Sequence, residues 1–342
     1  MSAQAQKKSR KLKVGVLRGG PSGEYEVSLK TGKNIIDTLR SRENYEVQDI
    51  FIDRNGNWHS AGIARPAERI LPHIDVAVNA LHGTYGEDGR VQQILESHNI
   101  PFTGSGSLGS AIGMNKPLAK KFFRNHGLMT PEHVVVKRSE YSPTVLQRIA
   151  TSYPHLRLVK PAASGSSLGV SVVSTSAELD QAIINAFEHS DSVLIEEFIK
   201  GREATCGVVE GSDGGEVFAL HPVEIRDLSK NRADKSQNDI WSYESKYSDD
   251  LHELVCPGNF SETETSLIQK AAVDAHKALG LRHYSRSDFI LNRMGIYILE
   301  VNTLPGMTSA SLFPRALSVA GISMGEFLDH IISLAVDRPS RS

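Results

Sequence analysis

Near the C-terminal end of the chain, two acidic residues and an amide are spaced for shared chemistry. Glu300 and Asn302 lie two apart in an apolar, β-branched segment, so a strand would aim both side chains at one face. Arg293-Met294-Gly295 suits a three-residue hairpin loop with glycine in the left-handed position, and that register sets Asp288 opposite Glu300. The face then offers two carboxylates and an amide oxygen, a hard donor set suited to Mg2+ bound beside nucleotide phosphates. From the hairpin alone, a solvated polar face with ordinary alternation is an equally good reading. The segment directly after Asn302 tips the balance. Thr303-Leu304-Pro305-Gly306-Met307-Thr308 reads as a turn into a helix at Ser309, and such a turn points N–H groups toward an oxyanion or carboxylate.

A second constellation begins at Lys160, which opens the run Lys160-Pro161-Ala162-Ala163-Ser164-Gly165-Ser166-Ser167-Leu168-Gly169 between two predicted strands. Small residues let the backbone approach a phosphate, and the lysine supplies a point charge. A bare Gly/Ser loop is more often a flexible hairpin, and no Gly-Lys-Ser/Thr opens a helix here, so it is not a Walker loop. Gly104-Ser105-Gly106-Ser107-Leu108-Gly109 matches the dinucleotide fingerprint in letters only. Its strand would be short, no acid follows a second strand, and a helix start packed closely on the sheet explains its glycines. His82, in Leu81-His82-Gly83-Thr84-Tyr85-Gly86-Glu87, stands at a strand end, where ligands bind in parallel sheets; a lone histidine there also caps loops. Glu24 either serves a ligand or simply favours the start of its helix.

The elements that must hold these groups follow from periodicity. Strands at Val14–Leu17, Val47–Ile52 and Val76–Leu81 alternate with helices at Val27–Leu39 and Glu87–Ser97, which predicts a parallel sheet covered on both faces. A helix over Lys116–His126 leads into a small unit of strands Val134–Val136, Leu156–Lys160, Val170–Val173 and Ser192–Glu196, with helices Thr144–Thr151 and Ala177–His189. From Glu203 the pattern turns antiparallel, through Ala204–Val209 and Val217–Leu220. A polar stretch from Arg226 to Asp250 then precedes a helix over Glu262–Leu279 that Gly280 stops. The fold class is α/β: an N-terminal parallel domain over 1–113 (1–12 a solvated tail), a central lid-like unit over 114–200, and a last domain over 201–342 with a mobile loop at about 226–250.

Length and composition agree with several domains of a soluble protein: 342 residues, 39% hydrophobic and 23% charged. A formal net charge of -2 disfavours nucleic acid as the main partner. No stretch suits a signal peptide or a bilayer span, and two cysteines without metal spacing fit a reducing compartment, so the expected location is cytoplasmic.

Taken in order, these pieces resemble the D-alanine–D-alanine ligase family of the ATP-grasp superfamily, from Val14 to about Ile332. The likeness is carried by Gly19-Gly20-Pro21-Ser22-Gly23-Glu24, the histidine turn, Asn115-Lys116, Lys160 with Gly165-Ser166-Ser167, Tyr243-Glu244-Ser245-Lys246-Tyr247, Arg286 and Asp288, and the run from Glu300 to Thr308. The resemblance implies an ATP-grasp fold whose last two domains enclose ATP. It further implies adenine at the backbone of Glu197 and Ile199 beside Glu196, ribose at Glu203, phosphates at Lys116 and Lys160, and Mg2+ (two ions, Mn2+ able to substitute) at Asp288, Glu300 and Asn302. By the same likeness the first D-alanine meets Glu24 and His82 and becomes an acyl phosphate. The second meets Ser311, the Leu312 N–H and Lys246. Arg286 and the Gly306 N–H take the oxyanion, and Tyr247 and Ser166 bond with Glu24. The product, D-alanyl-D-alanine, enters peptidoglycan precursors, and family members are homodimers.

Departures from the family pattern are Tyr25 at a position often basic, Ala162-Ala163-Ser164 where a charge is common, a longer stretch over 226–240, and a tighter hairpin before Glu300. Two competing readings are a ligase placing D-lactate or another D-residue second, and a nucleotide-binding regulator without turnover. Ester-forming relatives lack the tyrosine at Tyr247, which favours the dipeptide.

Overall fold

The computed structural model describes residues 10–152, 156–162, 169–212, 215–228 and 252–337. Ser166, Lys246 and Tyr247, with most of the polar stretch, lie outside the described residues.

The first sheet has the order β4-β3-β2-β1-β5, from β1 (Leu12–Gly19), β2 (Tyr45–Ile52), β3 (Trp58–Ser60), β4 (Ile63–Ala64) and β5 (Val76–Asn79). β1 runs parallel to β2 and β5, as the periodicity predicts. The two outer strands are antiparallel, so the sheet is mixed rather than wholly parallel. Those strands are three and two residues long, and turns with positive φ at Gly56, Ala61 and Gly62 interrupt them, leaving no apolar run to read. Both faces are covered. α1 (Tyr25–Arg40) packs Ile35, Ile36 and Leu39 against Val14, Val16, Val76 and Val78. On the other face, Leu17, Ile50, Ile52 and Ala77 meet Ile70 of α2 (Ala67–Ile70) and Val91 and Leu95 of α3 (Arg90–Ser97). α3 begins at Arg90, later than the expected Glu87, because Asp88 accepts from the Tyr85 and Arg90 amides and holds the preceding turn.

α4 (Ser107–Met114) follows the glycine fingerprint. It buries Ile112 in one core with Ile298 and Val301, and its start also meets the end of a later helix, where a Cβ on Gly109 would lie 3.2 Å from Gly280 O. α5 (Lys116–Asn125) is capped by Asn115, which accepts from the Leu118 N–H. The second sheet, order β6-β9-β7-β8, is antiparallel and comprises β6 (His133–Lys137), β7 (Arg157–Pro161), β8 (Ser171–Val173) and β9 (Ser192–Glu197). α6 (Pro143–Ser152) and α7 (Ser176–Phe187) cover one face, where Val136, Val159, Val193 and Ile195 alternate inward.

The largest sheet joins β10 (Arg202–Glu210), β11 (Val217–Ala219), β12 (Val223–Asp227), β13 (His252–Val255), β14 (Tyr284–Asn292) and β15 (Gly295–Asn302). Asp227 at the end of β12 pairs with His252 at the start of β13. One face packs Ala204, Cys206, Val208, Phe289, Leu291, Ile298 and Val301 on Ile268, Ala272 and Ala275 of α8 (Glu262–Ala278). A Ser261–Glu264 capping box opens α8, and Gly280 at φ 61 closes it, as the glycine stop signal predicts. α9 (Leu312–Val319) and α10 (Met324–Asp337) end the chain, and α10 packs Phe327, Leu328 and Ile331 back on the first sheet. Among the described residues no single helix is long and apolar enough to cross a membrane.

The β14–β15 hairpin differs from expectation in a way that decides its function. Asn292 pairs with Gly295, so the loop is two residues rather than three, and Gly295 stands in the strand at φ 141. Asp288 nevertheless opposes Glu300, as predicted, because the ladder passes from Phe289↔Ile298 to Asp288↔Glu300 and leaves Leu299 as an extra residue. Without that bulge, Ile298 and Glu300 would share a face; with it, Ile298 faces the core and Glu300 faces away. Deleting Leu299 should therefore regularise the ladder and keep a cooperative thermal transition within about 5 °C of the parent. Inserting an alanine between Glu300 and Val301 should abolish folding or strip the carboxylate from its face. Circular dichroism melts that rank the deletion as badly as the insertion would contradict this register.

Candidate active site

The outward face of the large sheet gathers polar side chains by strand alternation. Thr205 lies opposite Asp288, and Arg286 opposite Asn302. Arg286 grips Asp288 with two bonds, Nε to Oδ1 and a terminal nitrogen to Oδ2, both 3.1 Å. The Thr205 hydroxyl donates to Asp288 Oδ1 at 2.6 Å, and the Asn302 amide nitrogen donates to Oδ2 at 3.3 Å. Glu300 is held 2.9 Å from Lys116 Nζ, at the start of α5. Both carboxylates thus already sit against cations. The donor set fits a divalent ion: the anionic oxygens are stabilised by positive charge that such an ion could replace, while Asn302 must turn its amide to offer oxygen. Glu203 lies two residues before Thr205 on β10 and shares this face.

Above this face lies a fully buried charge cluster. Lys160 on β7 and Glu196 on β9 meet diagonally across the central sheet, Nζ to Oε2 at 2.9 Å. The other oxygen, Oε1, lies 2.7 Å from Lys120 Nζ on α5. Both ammonium groups hold the Glu196 carboxyl well below the usual carboxylate range despite the burial that opposes ionisation. Lys116 and Lys120, one turn apart, therefore place two cations on one flank of the site. Glu197 ends β9 and Ile199 follows it; the Glu197 N–H is already donated to Glu132 O at 2.9 Å.

The third part comes from the first sheet. Glu24 precedes α1 without capping it through its side chain; instead its amide donates to Ser22 Oγ, whose hydroxyl donates to His82 O. His82 is buried, with Nε2 2.9 Å from Thr31 Oγ1 and Nδ1 3.4 Å from Glu87 Oε1. Glu87 also accepts from the Gly83 N–H at 3.2 Å. Gly83, at φ 69, lets the loop pass close enough that a Cβ there would lie 3.3 Å from Glu24 Oε1. Burial foremost, then the Glu87 charge, pushes the Glu24 carboxyl up to about 7; His82 and Lys116 pull the other way. Because Glu24 also feels Glu300, the pocket and the charged sheet face form one electrostatic unit.

The turn after Asn302 closes the site. The helix begins at Leu312 rather than Ser309, because the Ser311 hydroxyl is taken by Thr308, accepting its N–H at 3.1 Å and bonding its hydroxyl at 2.7 Å. Gly306 packs over this pair, where a Cβ would come within 3.0 Å of Ser311 Oγ. Asn34 of α1 donates to Met307 O at 2.6 Å and ties the turn to the first sheet. Tyr25, where a basic side chain is common in the family, has the Arg54 guanidinium 4.0 Å over its ring.

The structure thus brings together Asp288, Asn302 and Arg286 by direct bonds, Glu300 with Lys116, Lys160 with Glu196, and Gly306 with Ser311. Sequence reading missed Lys120, Thr205, Thr31 and Glu87. The spacing of Lys116 and Lys120 carried a signal for the first; Thr205 is visible only once β10 and β14 are paired.

Comparison with known proteins identifies the family. Residues 13–69 and 62–105 match the D-ala D-ala ligase N-terminus family model, and residues 122–333 match the D-ala D-ala ligase C-terminus model. The D-alanine--D-alanine ligase of Halalkalibacterium halodurans is 40% identical over 96% of this chain and 100% of its own length. The crystal structure of D-alanine--D-alanine ligase from Bacillus anthracis superposes with TM-score 0.77 and 33% identity, covering 95% of this chain and 98% of that one. That of VanG D-Ala:D-Ser ligase from Enterococcus faecalis superposes with TM-score 0.81 and 30% identity, covering 96% and 100%. With both halves matched and full-length relatives at this identity, the chain belongs to the D-alanine–D-alanine ligase family and has the ATP-grasp fold.

Proposed function

We propose that this chain joins two D-alanine molecules, converting ATP to ADP and phosphate through a D-alanyl phosphate, to supply the dipeptide of peptidoglycan precursors. The observation that carries the reading is the sheet face on which Asp288 and Glu300 are each balanced by a cation, with Glu24 and His82 alongside. In the first step a carboxylate oxygen of D-alanine attacks the γ-phosphorus and the bond to the bridging oxygen of ADP breaks. Lys116 and Lys160 offset charge on the phosphates. Asp288, Glu300 and Asn302 would hold Mg2+, two ions with Mn2+ as a substitute, which supplies further charge neutralisation when bound. Glu24 pairs with the substrate ammonium, and His82, held by Thr31 and Glu87, lies beside its carboxylate.

In the second step the amine of another D-alanine attacks the acyl carbon and loses its proton as phosphate departs. Arg286 and the Gly306 N–H stabilise the transient oxyanion. Ser311, the Leu312 N–H and Lys246 hold the second carboxylate, while Ser166 and Tyr247 bond with Glu24 and keep water from the acyl phosphate. Adenine takes the Glu197 carbonyl rather than its occupied N–H, the Ile199 N–H and the neighbourhood of Glu196, with ribose at Glu203. In this reading, units 1–113, 114–200 and 201–342 enclose the reactants, and the chain works as a cytoplasmic homodimer. The likeness to a D-Ala:D-Ser ligase makes the second-substrate pocket the place where a related activity would differ.

Phosphate release from ATP and Mg2+ should depend on D-alanine, be negligible with L-alanine, and accompany mostly D-alanyl-D-alanine when D-serine or D-lactate competes. Turnover indifferent to D-alanine would end this reading. Glu300→Gln should lower kcat by about 10²-fold or more, as expected for weakened charge stabilisation, and near-normal rates would remove Glu300 from the metal set. The kcat/KM for D-alanine should fall about tenfold per pH unit below pH 7 and level off above it, because only ionised Glu24 pairs with the ammonium. A profile flat through that range would contradict the role of Glu24.

A further inference from the structure

Lys120 has no part in the steps above, yet its side chain is fully buried, and it lies on a helix whose Ala119 and Phe123 pack into the core of the large sheet. Its ammonium is 2.7 Å from Glu196 Oε1 and donates to Thr130 Oγ1 at 2.7 Å. Glu196 is shared: its second oxygen holds Lys160 at 2.9 Å. One carboxylate therefore faces two ammonium groups in a buried setting. The other charged or titratable groups facing Lys120 are Glu300 on β15, which is itself paired with Lys116, and His133 on β6. Burial keeps the His133 ring toward its neutral form. Within the trio, Lys120 and Lys160 against the single Glu196 carboxylate leave one positive charge in excess. Excess charge in low dielectric is costly, and an arriving anion relieves that cost.

We propose that Lys120 is a positioning residue for nucleotide phosphates: by occupying one oxygen of Glu196 it stops Lys160 from closing a neutral one-to-one pair and leaves that lysine available to polyphosphate. This rests on the reading that Lys160 meets the nucleotide. Were Lys120 uncharged, Glu196 and Lys160 would satisfy each other, and a phosphate would have to break a buried ion pair to bind. Burial also pulls the Lys120 ammonium down to about 8, with Glu196 opposing, so a nearby phosphate draws a proton onto it in mildly alkaline solution.

The test uses the full chain with ADP and Mg2+ as probe. Lys120→Gln removes the charge and keeps a polar donor aimed toward Thr130, on a side chain one bond shorter. Calorimetry should find ADP bound at least tenfold more weakly, and the KM for ATP should rise similarly. The KM for D-alanine should stay within twofold and the Tm within a few degrees. Should that variant not fold, the parent chain supplies a second readout: heats of ADP binding at pH 8.5 in buffers of different ionisation enthalpy should report proton uptake. An ADP affinity unchanged in Lys120→Gln, a parallel loss of affinity for both substrates, or no proton uptake by the parent would overturn the proposal. A parent chain that binds ADP but never turns over D-alanine would sink the ligase reading alone.

Discussion

The bulged residue of β15 decides where charge can stand on the last hairpin. Strand alternation would force Glu300 onto the same side as Ile298, whose burial the α8 core requires. Leu299 breaks that parity, so the apolar residues stay inward while Glu300 and Asn302 reach Asp288, Arg286 and Lys116. Lys116 is the first residue of α5, and its backbone N–H also reaches Ala162 O beyond β7. The hairpin is therefore tied to the central sheet through one helix end, and the placement of Lys116 beside Glu300 depends on a register set in a different sheet.

Around that frame each of these carboxylates has a cationic partner, and Glu196 has two. Asp288 has Arg286, Glu300 has Lys116, and Glu196 has Lys120 and Lys160. Buried ions left alone would be costly, and pairing makes them tolerable before any ligand arrives. In the proposed function, substrate and metal would exchange partners with these pairs without exposing a bare charge. Glu24 is the exception in kind: with a carboxylate neighbour and a buried setting, its charge is weakly supported until a cation enters.

Much of this is legible in the sequence. The apposition of Asp288 and Glu300, the same-face placement of Asn302, the antiparallel shift after Glu203 and the Gly280 stop follow from two-residue alternation and helix-end chemistry. The sequence reaches that apposition through a three-residue loop, however, and it stands only because a two-residue loop and the bulge offset each other. Leu299 is apolar like Ile298 before it and alternates with Tyr297 and Val301, so the letters read as one regular strand and nothing in them marks the bulge. The outer strands of the first sheet are too short for periodicity to register. Ser309 resembles a helix start because hydroxyls favour caps, yet Thr308 and Ser311 bond to each other instead. Thr205 and Glu87 need the folded chain, since their partners lie on other strands or inside a tight turn.

The most direct test of phosphoryl transfer to the substrate carboxylate tracks one oxygen atom. With D-alanine labelled by 18O in its carboxyl group, attack on the γ-phosphorus carries a carboxyl oxygen onto phosphate, and amide formation then releases it. Mass spectrometry of the phosphate should find one labelled oxygen per molecule at full enrichment, with unlabelled ADP. Phosphate free of label, released at the rate of dipeptide formation, would contradict an acyl phosphate at this site.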